Sequence, residues 1–312
     1  MALVLLNLRA GGGHAAKLEG PLREALKRHH PGVPLHVTRG ALEATRLLAS
    51  AARGSRVVLV GGDGCLHQLL PAVLAGAHEL ALVPAGHNNH SAGALHLHHL
   101  PWPRALARAL TAEACAVDIG WVRTEHEERP FFSSLAGGFD AAVAERLNAT
   151  VGTPFAGIRG WPRFALAVIA ELPALRRQAL HIEIDGTAWF EGDALFTSIL
   201  NAPTQGAALQ ALTPPRIDDG QLNLLVAGSL SRSATLLMLM RRLLGKPLSQ
   251  RDVRCASASK LQIDSATPLP LAADGETMKS ASHITVRVGR QVLQVVAGAT
   301  FNPRTIARTY KP

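Results

Sequence analysis

Val57-Val58-Leu59-Val60-Gly61-Gly62-Asp63-Gly64 carries an apolar, β-branched run into a glycine turn and then into an apolar helical segment. Paired glycines let backbone approach phosphate oxygens with no Cβ in the way, and the helix that follows offers N–H groups and its positive dipole end to the anion. Asp63, at the rim, suits a magnesium ion that bridges phosphates. Taken alone, this turn reads equally well as a helix-capping turn. Two more turns change the balance. Asn7-Leu8-Arg9-Ala10-Gly11-Gly12-Gly13 follows the first apolar run, where a strand-to-helix phosphate loop belongs, and Val83-Pro84-Ala85-Gly86-His87-Asn88-Asn89-His90 follows the fourth. Three such turns on one sheet edge point to phosphate chemistry. None is followed by Gly-Lys-Ser/Thr, which excludes a Walker-type phosphate loop.

The elements that must position these turns are legible from periodicity. Strands are expected at 3–8, 35–38, 56–60 and 80–83, with helices at 14–29, 41–52 and 66–74, the first of them kinked or split by Pro21. Continuous apolar strands between helices argue for a parallel sheet covered on both faces, a doubly wound α/β N-terminal domain. After Val117-Asp118-Ile119-Gly120 the texture changes. Strand-like pieces follow one another at 116–122, 131–136, 180–184, 194–200, 222–227, 260–263 and 284–288, with helices at 141–147, 164–175 and 233–244. Asp185-Gly186 between Ile184 and Thr187 signals a hairpin. A mostly antiparallel, β-rich second domain is expected over 120–296, after an N-terminal domain of 1–119, with the boundary at a strand rather than a tether.

Composition narrows the function classes. Aromatics make up 4% of the 312 residues and include a single Tyr, which disfavours binding of stacked single-stranded bases. The net charge of +9 favours anionic partners, but Lys and Arg are dispersed without a polybasic arm, so no nucleic-acid partner is expected. Cys65, Cys115 and Cys255 form neither a disulfide framework nor a zinc pattern, which fits a reducing compartment. Met1 to Asn7 reads as a first buried strand, not a signal peptide, and no segment reaches the ~20 apolar residues that span a bilayer. A cytoplasmic protein is expected. The run His87, His90, His96, His98, His99 lacks zinc spacing and reads as a solvated loop rather than a metal site. The apolar stretch from Phe164 to Ala170, between Arg163 and Arg176-Arg177, reads as a core helix or as a segment dipping into a leaflet.

On these residues the chain resembles the diacylglycerol kinase catalytic-domain family, which includes bacterial lipid kinases, sphingosine kinases and ceramide kinases. Asn7 to Gly13 is similar to the family's Asn-Pro-x-Ser-Gly-Gly-Gly, Gly61 to Cys65 to its Gly-Gly-Asp-Gly-Thr, and Pro84 to Asn89 to its Pro-x-Gly-Thr/Ser-Gly-Asn. Val117 to Gly120, Ala136 to Ala141, Ile217-Asp218-Asp219-Gly220 and Ala273-Asp274-Gly275-Glu276 follow in the family's order, so the resemblance covers nearly the whole chain. It departs at Cys65 for Thr, His87 for Thr/Ser, Asn88 for Gly, and His90 where diacylglycerol-type members have Asp.

The resemblance implies an ATP- and magnesium-dependent lipid kinase that works at an anionic membrane surface, with its site in a cleft between two domains. It also implies that residues 297–312 return to the first domain. A nucleotide would be held by Asn7, Gly11, Gly12, Gly13, Gly61, Gly62, Asp63, Gly64, Gly86, His87, Asn88, Asn89, Asp118 and Asp274. Glu276 would be the catalytic base, facing Asp63, or else a plain turn carboxylate. Asp118 would support the metal, or cap a strand end; Asp218 and Asp219 would form an accessory magnesium site, or an ordinary turn. The lipid acceptor would be diacylglycerol, a sphingoid lipid or ceramide, and the oligomeric state is open, a homodimer included. Two alternatives remain: a relative that binds without transferring phosphate, and an NAD-kinase-like enzyme acting on a soluble nucleotide. The latter pattern places Asn-Glu downstream of the Gly-Gly-Asp-Gly turn, and no Asn-Glu occurs in this chain.

Overall fold

The computed structural model describes residues 1–87, 89–149, 161–203, 215–228, 234 and 253–301. Two compact units divide them: Met1–Ile119 with Ile217–Asp219 and the residues from Arg290 on, and Gly120–Arg216 with Gly220–Gly289.

The first unit alternates strand and helix: β1 (Ala2–Asn7), α1 (Glu19–His29), β2 (Leu35–Thr38), α2 (Ala41–Ser50), β3 (Arg56–Gly61), α3 (Asp63–Ala75), β4 (Glu79–Pro84), α4 (His90–Ala94) and α5 (Trp102–Thr111). Its strands are parallel in the order β2-β1-β3-β4, and Gln294–Val296 pair in parallel with β4 on the far side. On one face Val4, Leu6, Val58, Val60, Ala81 and Val83 pack with Leu22 and Leu26 of α1 and Ala105, Leu106 and Ala109 of α5. The alternate residues Leu3, Leu5, Val57, Leu59, Leu80 and Leu82 are buried as well. Strands buried on both faces must be apolar at every position, which is why these runs show no alternation.

Two expectations need correction here. The stretch after β1 is not helical from His14: Ala10–Leu18 forms a 3-10 segment with three left-handed glycines, and α1 proper begins at Glu19. Pro21 lies in the first turn of α1, where a backbone N–H has no intrahelical partner to lose, so it neither kinks nor splits the helix. In addition, α3 starts three residues before the expected Leu66, at Asp63 itself, and α5 is a helix that the sequence reading omits.

In the second unit come β5 (Cys115–Arg123, from Gly120 on), β6 (Glu128–Phe131), β7 (Ser134–Gly138), α6 (Phe139–Ala149), α7 (Trp161–Glu171), β8 (Gln178–Ile184), β9 (Thr187–Ala194), β10 (Phe196–Leu200), β11 (Leu222–Ala227), β12 (Val253–Ala258), β13 (Lys260–Ala273) and most of β14 (Glu276–Val296). Antiparallel pairing builds the order β12-β11-β10-β7-β13-β14, with β8 and β9 added along β13 and β6 on β5. The β8–β9 hairpin turns at Asp185 and Gly186, both at positive φ, as the Asp-Gly signal requires. One cluster, including Phe131, Ile182, Leu224, Ile263 and Val286, fills the sheet's interior, and a second joins α6 and α7 to β10 and β11. Gly120 is obligatory, because any Cβ there would overlap the fully buried Phe131 ring. The expected strands at 260–263 and 284–288 are fragments of one long hairpin, β13–β14, and the expected helix at 233–244 lies outside the described residues apart from Ala234.

Candidate functional site

The three glycine turns of the first unit lie at the carboxyl ends of β1, β3 and β4 and are packed against one another. Gly11, Gly12 and Gly13 adopt φ of 60°, 64° and 88°, three successive left-handed residues that only glycine adopts without strain. The Gly13 amide donates to the Arg9 carbonyl at 3.3 Å, which closes this turn on itself. A Cβ on Gly11 would come within 2.6 Å of the Ala85 carbonyl oxygen, so the first turn rests directly on the third. A Cβ on Gly62 would meet Gly86 Cα at 2.8 Å, so the second rests on the third as well. Around Gly13 there is open space, and the His87 ring stands beside Gly12, its Cε1 3.3 Å from the position of a Cβ.

Side chains tie this cluster together. Asn7 accepts from the Arg9 amide at 2.9 Å and donates through Nδ2 to Cys65 Sγ at 2.7 Å, linking the first turn to α3. Cys65 thus acts as a small polar acceptor where the family has Thr. Asp63 opens α3, and its Oδ2 and Oδ1 accept from the His90 and Ser91 amides at 2.9 and 2.8 Å, capping α4. Within the third turn Asn89, left-handed at φ 52°, accepts from the Gly86 amide and donates to the Gly86 carbonyl, both at 2.9 Å. The Asn7–Cys65 tie, the capping of α4 by Asp63 and the Asn89 clamp are not evident in the sequence. An Asn three residues beyond a turn glycine is the only signal that points to the last of these. Asn88 lies outside the described residues.

The remaining expected site residues separate into two groups. Asp118, fully buried in the first unit, accepts from the Gln291 amide at 2.7 Å, and its own amide donates to the Ile217 carbonyl at 2.6 Å. Asp118 therefore anchors two crossings of the chain in that unit, at Ile217 and at Gln291. Asp218, half-buried, and Asp219, exposed, follow directly. Burial, with Asp218 as a further cause, raises the Cys115 thiol above its usual range. In the second unit Asp274 and Gly275 form the β13–β14 turn at positive φ, and the Asp274 carboxylate accepts from the Phe132, Ser133 and Ser134 amides at 2.9, 2.6 and 3.1 Å. Asn148 donates to the Gly275 carbonyl at 2.8 Å, and Glu276, half-buried, opens β14 from this doubly pinned turn.

The fit of a nucleotide and a metal can be judged from this geometry. The open face at Gly13 is a cradle that a Cβ would fill, which suits phosphate. Two amides occupy part of the Asp63 carboxylate, and a carboxylate has about four lone-pair sites, so capacity for a cation remains. Among the described residues no three His, Cys, Asp or Glu groups converge to hold a metal. A magnesium ion at Asp63 would therefore complete its shell from phosphate and water, as magnesium commonly does. In the histidine run, burial and then His99 and His96 push the His98 imidazole below its usual range; its ring centroid lies 3.6 Å from that of His99.

Comparison with known proteins places this arrangement. Residues 1–122 match the family model described as diacylglycerol kinase catalytic domain, and residues 133–297 match that of the YegS C-terminal NAD kinase beta sandwich-like domain. A diacylglycerol kinase of Mycobacterium tuberculosis is 28% identical over 268 residues, covering 83% of this chain and 84% of that protein. A probable lipid kinase YegS-like of Chromohalobacter salexigens is 29% identical over 276 residues, covering 85% and 84%. The crystal structure of a diacylglycerol kinase from Bacillus anthracis str. Sterne superposes with a TM-score of 0.64 at 16% identity over 96% of this chain and 97% of that one. An NAD kinase from Archaeoglobus fulgidus in complex with ATP superposes at 0.54 with 12% identity over 96% and 94%. These likenesses agree with the α/β and β-rich fold class expected from the sequence.

Proposed function

This chain belongs to the family of diacylglycerol kinases and YegS-like lipid kinases, and we propose that it transfers the γ-phosphate of ATP to the hydroxyl of a membrane lipid, diacylglycerol or a sphingoid lipid such as ceramide. The observation that carries the reading is the mutual packing of the three glycine turns, with the left-handed Gly11–Gly13 segment open at Gly13. In this reading the Cβ-free backbone of that segment, with Gly62, Gly86 and the Asn89-clamped turn, lets the nucleotide's phosphates approach closely. Two imidazoles flank that segment, His87 beside Gly12 and His14, whose Nδ1 lies 2.8 Å from the Gly11 carbonyl oxygen. Bound magnesium would neutralise charge on the phosphates, held by Asp63, with the buried Asp118 supporting it.

Glu276 takes the proton from the lipid hydroxyl. It is suited to this by its position next to a turn that Asp274 and Asn148 fix in place, because a base is effective only when held within hydrogen-bond reach of the proton it removes. Asp274 shapes that turn. Peripheral contact with an anionic membrane surface follows from an acceptor that resides in the bilayer and from the net charge of +9. Among the described residues no helix is long and apolar enough to cross a membrane.

The roles are tested by separating ATP binding from transfer. Glu276→Gln should bind ATP like the unaltered protein and lower transfer to lipid by roughly 10²–10⁴-fold, the usual contribution of a general base. Full transfer by Glu276→Gln would remove it from the mechanism. Asp63→Ala should lose transfer too, because α4 loses its cap and the metal its carboxylate.

A further inference from the structure

Helix α7 carries two apolar faces where a surface helix ordinarily carries one. Its inner face is packed: Ala167 and Val168 are buried, and Phe164, Leu172 and Leu175 lie against the cluster that joins α6 and α7 to the sheet. Its outer face is apolar too. Pro162, Leu166, Ile169, Ala170 and Pro173 are all exposed, Leu166 by 50% and Ile169 by 55%. At 100° per residue the four positions in the helix fall within about 100° of arc, a single stripe, and Pro173 in the 3-10 turn Leu172–Ala174 follows it. The only charged residues from 161 to 173 are Arg163 and Glu171, and both are engaged on the α6 side: Arg163 donates to the Leu147 carbonyl at 2.6 Å and Glu171 pairs with Arg146. Just past the stripe, Arg176 and Arg177 are exposed.

We propose that this outer stripe of α7 is the surface by which the protein docks on an anionic membrane, with Leu166 and Ile169 lying among the upper acyl chains and Arg176 and Arg177 among the anionic headgroups. The inference deepens the lipid-kinase reading by naming the membrane contact, and its test does not depend on phosphate transfer. A narrow apolar stripe ended by adjacent arginines matches the vertical order of a leaflet, acyl chains below and phosphates at the level of the cations. A second copy of the chain fits less well, because two large apolar side chains fall far short of the ~800 Å² per partner that stable interfaces bury. The resolution of the sequence's two options is that α7 is both: core on its inner face, membrane-directed on its outer.

The experiment is co-sedimentation of the full chain, without ATP, with phosphatidylcholine vesicles made with or without phosphatidylglycerol. The unaltered protein should bind the anionic vesicles far more tightly than the neutral ones. Leu166→Asp combined with Ile169→Asp should lower binding at least tenfold. Arg176→Gln combined with Arg177→Gln should lower it about fivefold per arginine on anionic vesicles and leave binding to neutral ones unchanged. All four positions are exposed, so melting temperature should not move, and transfer to detergent-dispersed lipid should persist. Folded variants that bind vesicles like the unaltered protein would overturn the proposal. So would a conversion of dimer to monomer in Leu166→Asp with vesicle binding intact, which would assign the stripe to a second copy. Loss of transfer in every form, with vesicle binding behaving as described, would instead strike the kinase reading and leave the docking surface standing.

Discussion

Replacing single glycines by alanine separates the strain of a left-handed residue from the packing of one turn on another. Gly54, Gly13 and Gly11 all have positive φ, at 74°, 88° and 60°. A Cβ on Gly54 or Gly13 would meet nothing within 4 Å, whereas one on Gly11 would lie 2.6 Å from the Ala85 carbonyl oxygen. Gly54→Ala and Gly13→Ala should therefore each cost only the left-handed penalty of about 1–2 kcal/mol. Gly11→Ala adds an overlap that a backbone carbonyl cannot escape by changing rotamer, a further cost of about 1–3 kcal/mol. Thermal melting should thus show Gly11→Ala well below the other two. ATP affinity sorts the same variants differently. Gly13→Ala places a methyl on the open face of the cradle, so it should bind ATP at least tenfold more weakly although it melts with Gly54→Ala, whose affinity should be unchanged. Equal melting of all three would refute the packing argument, and full ATP affinity in Gly13→Ala would refute the cradle.

Other positions give independent checks. Gly120→Ala drives a methyl into the Phe131 ring, which is fully buried, and should destabilise the second unit by about 3 kcal/mol or more, read as loss of soluble protein or a large fall in melting temperature. Asp274→Ala leaves three amides of residues 132–134 without their acceptor and should cost at least about 3 kcal/mol in urea unfolding, with Asp274→Asn recovering part of it. The His283 imidazole is raised above its usual range by its hydrogen bond to Asp264 and then by that carboxylate's charge. A raised folded-state value stabilises fully below the unfolded value of about 6.5 and is lost as pH rises through the folded value. His283→Gln should hence be less stable than the unaltered protein at about pH 5.5 and indistinguishable from it at about pH 8.5, with the reverse order contradicting the pairing.

The first unit was legible because its strands are buried on both faces. Val57 to Val60 has no polar residue to blur the run, and the glycines that end it mark the strand's carboxyl end. What the sequence conceals there is conformation. Gly11-Gly12-Gly13 reads as a loop, but nothing in three glycines states that all are left-handed, nor that the third turn supports them. In the second unit the long hairpin was broken in two by Pro268 and Pro270, which cannot donate to a ladder and so argue against a strand. The structure absorbs them at register shifts between Asp264 and Leu269 and between Leu269 and Leu271. Helix α5 was missed although Pro101 and Pro103 flank its first residue, where proline favours a helix start, and Ala105, Leu106 and Ala109 repeat at helical spacing. The capping of α4 by Asp63 spans 27 residues of sequence, and no local pattern encodes a partner so far away.

One experiment identifies the acceptor. The protein is given γ-labelled ATP and magnesium together with mixed micelles of diacylglycerol, a sphingoid base and ceramide, and with NAD in the aqueous phase. The label is then partitioned between chloroform and water. The lipid-kinase reading predicts label in the organic phase, in one lipid's phosphate ester, and its loss in Asp63→Ala. Label appearing only in water-soluble dinucleotide, or in no product while ATP remains bound, would contradict it.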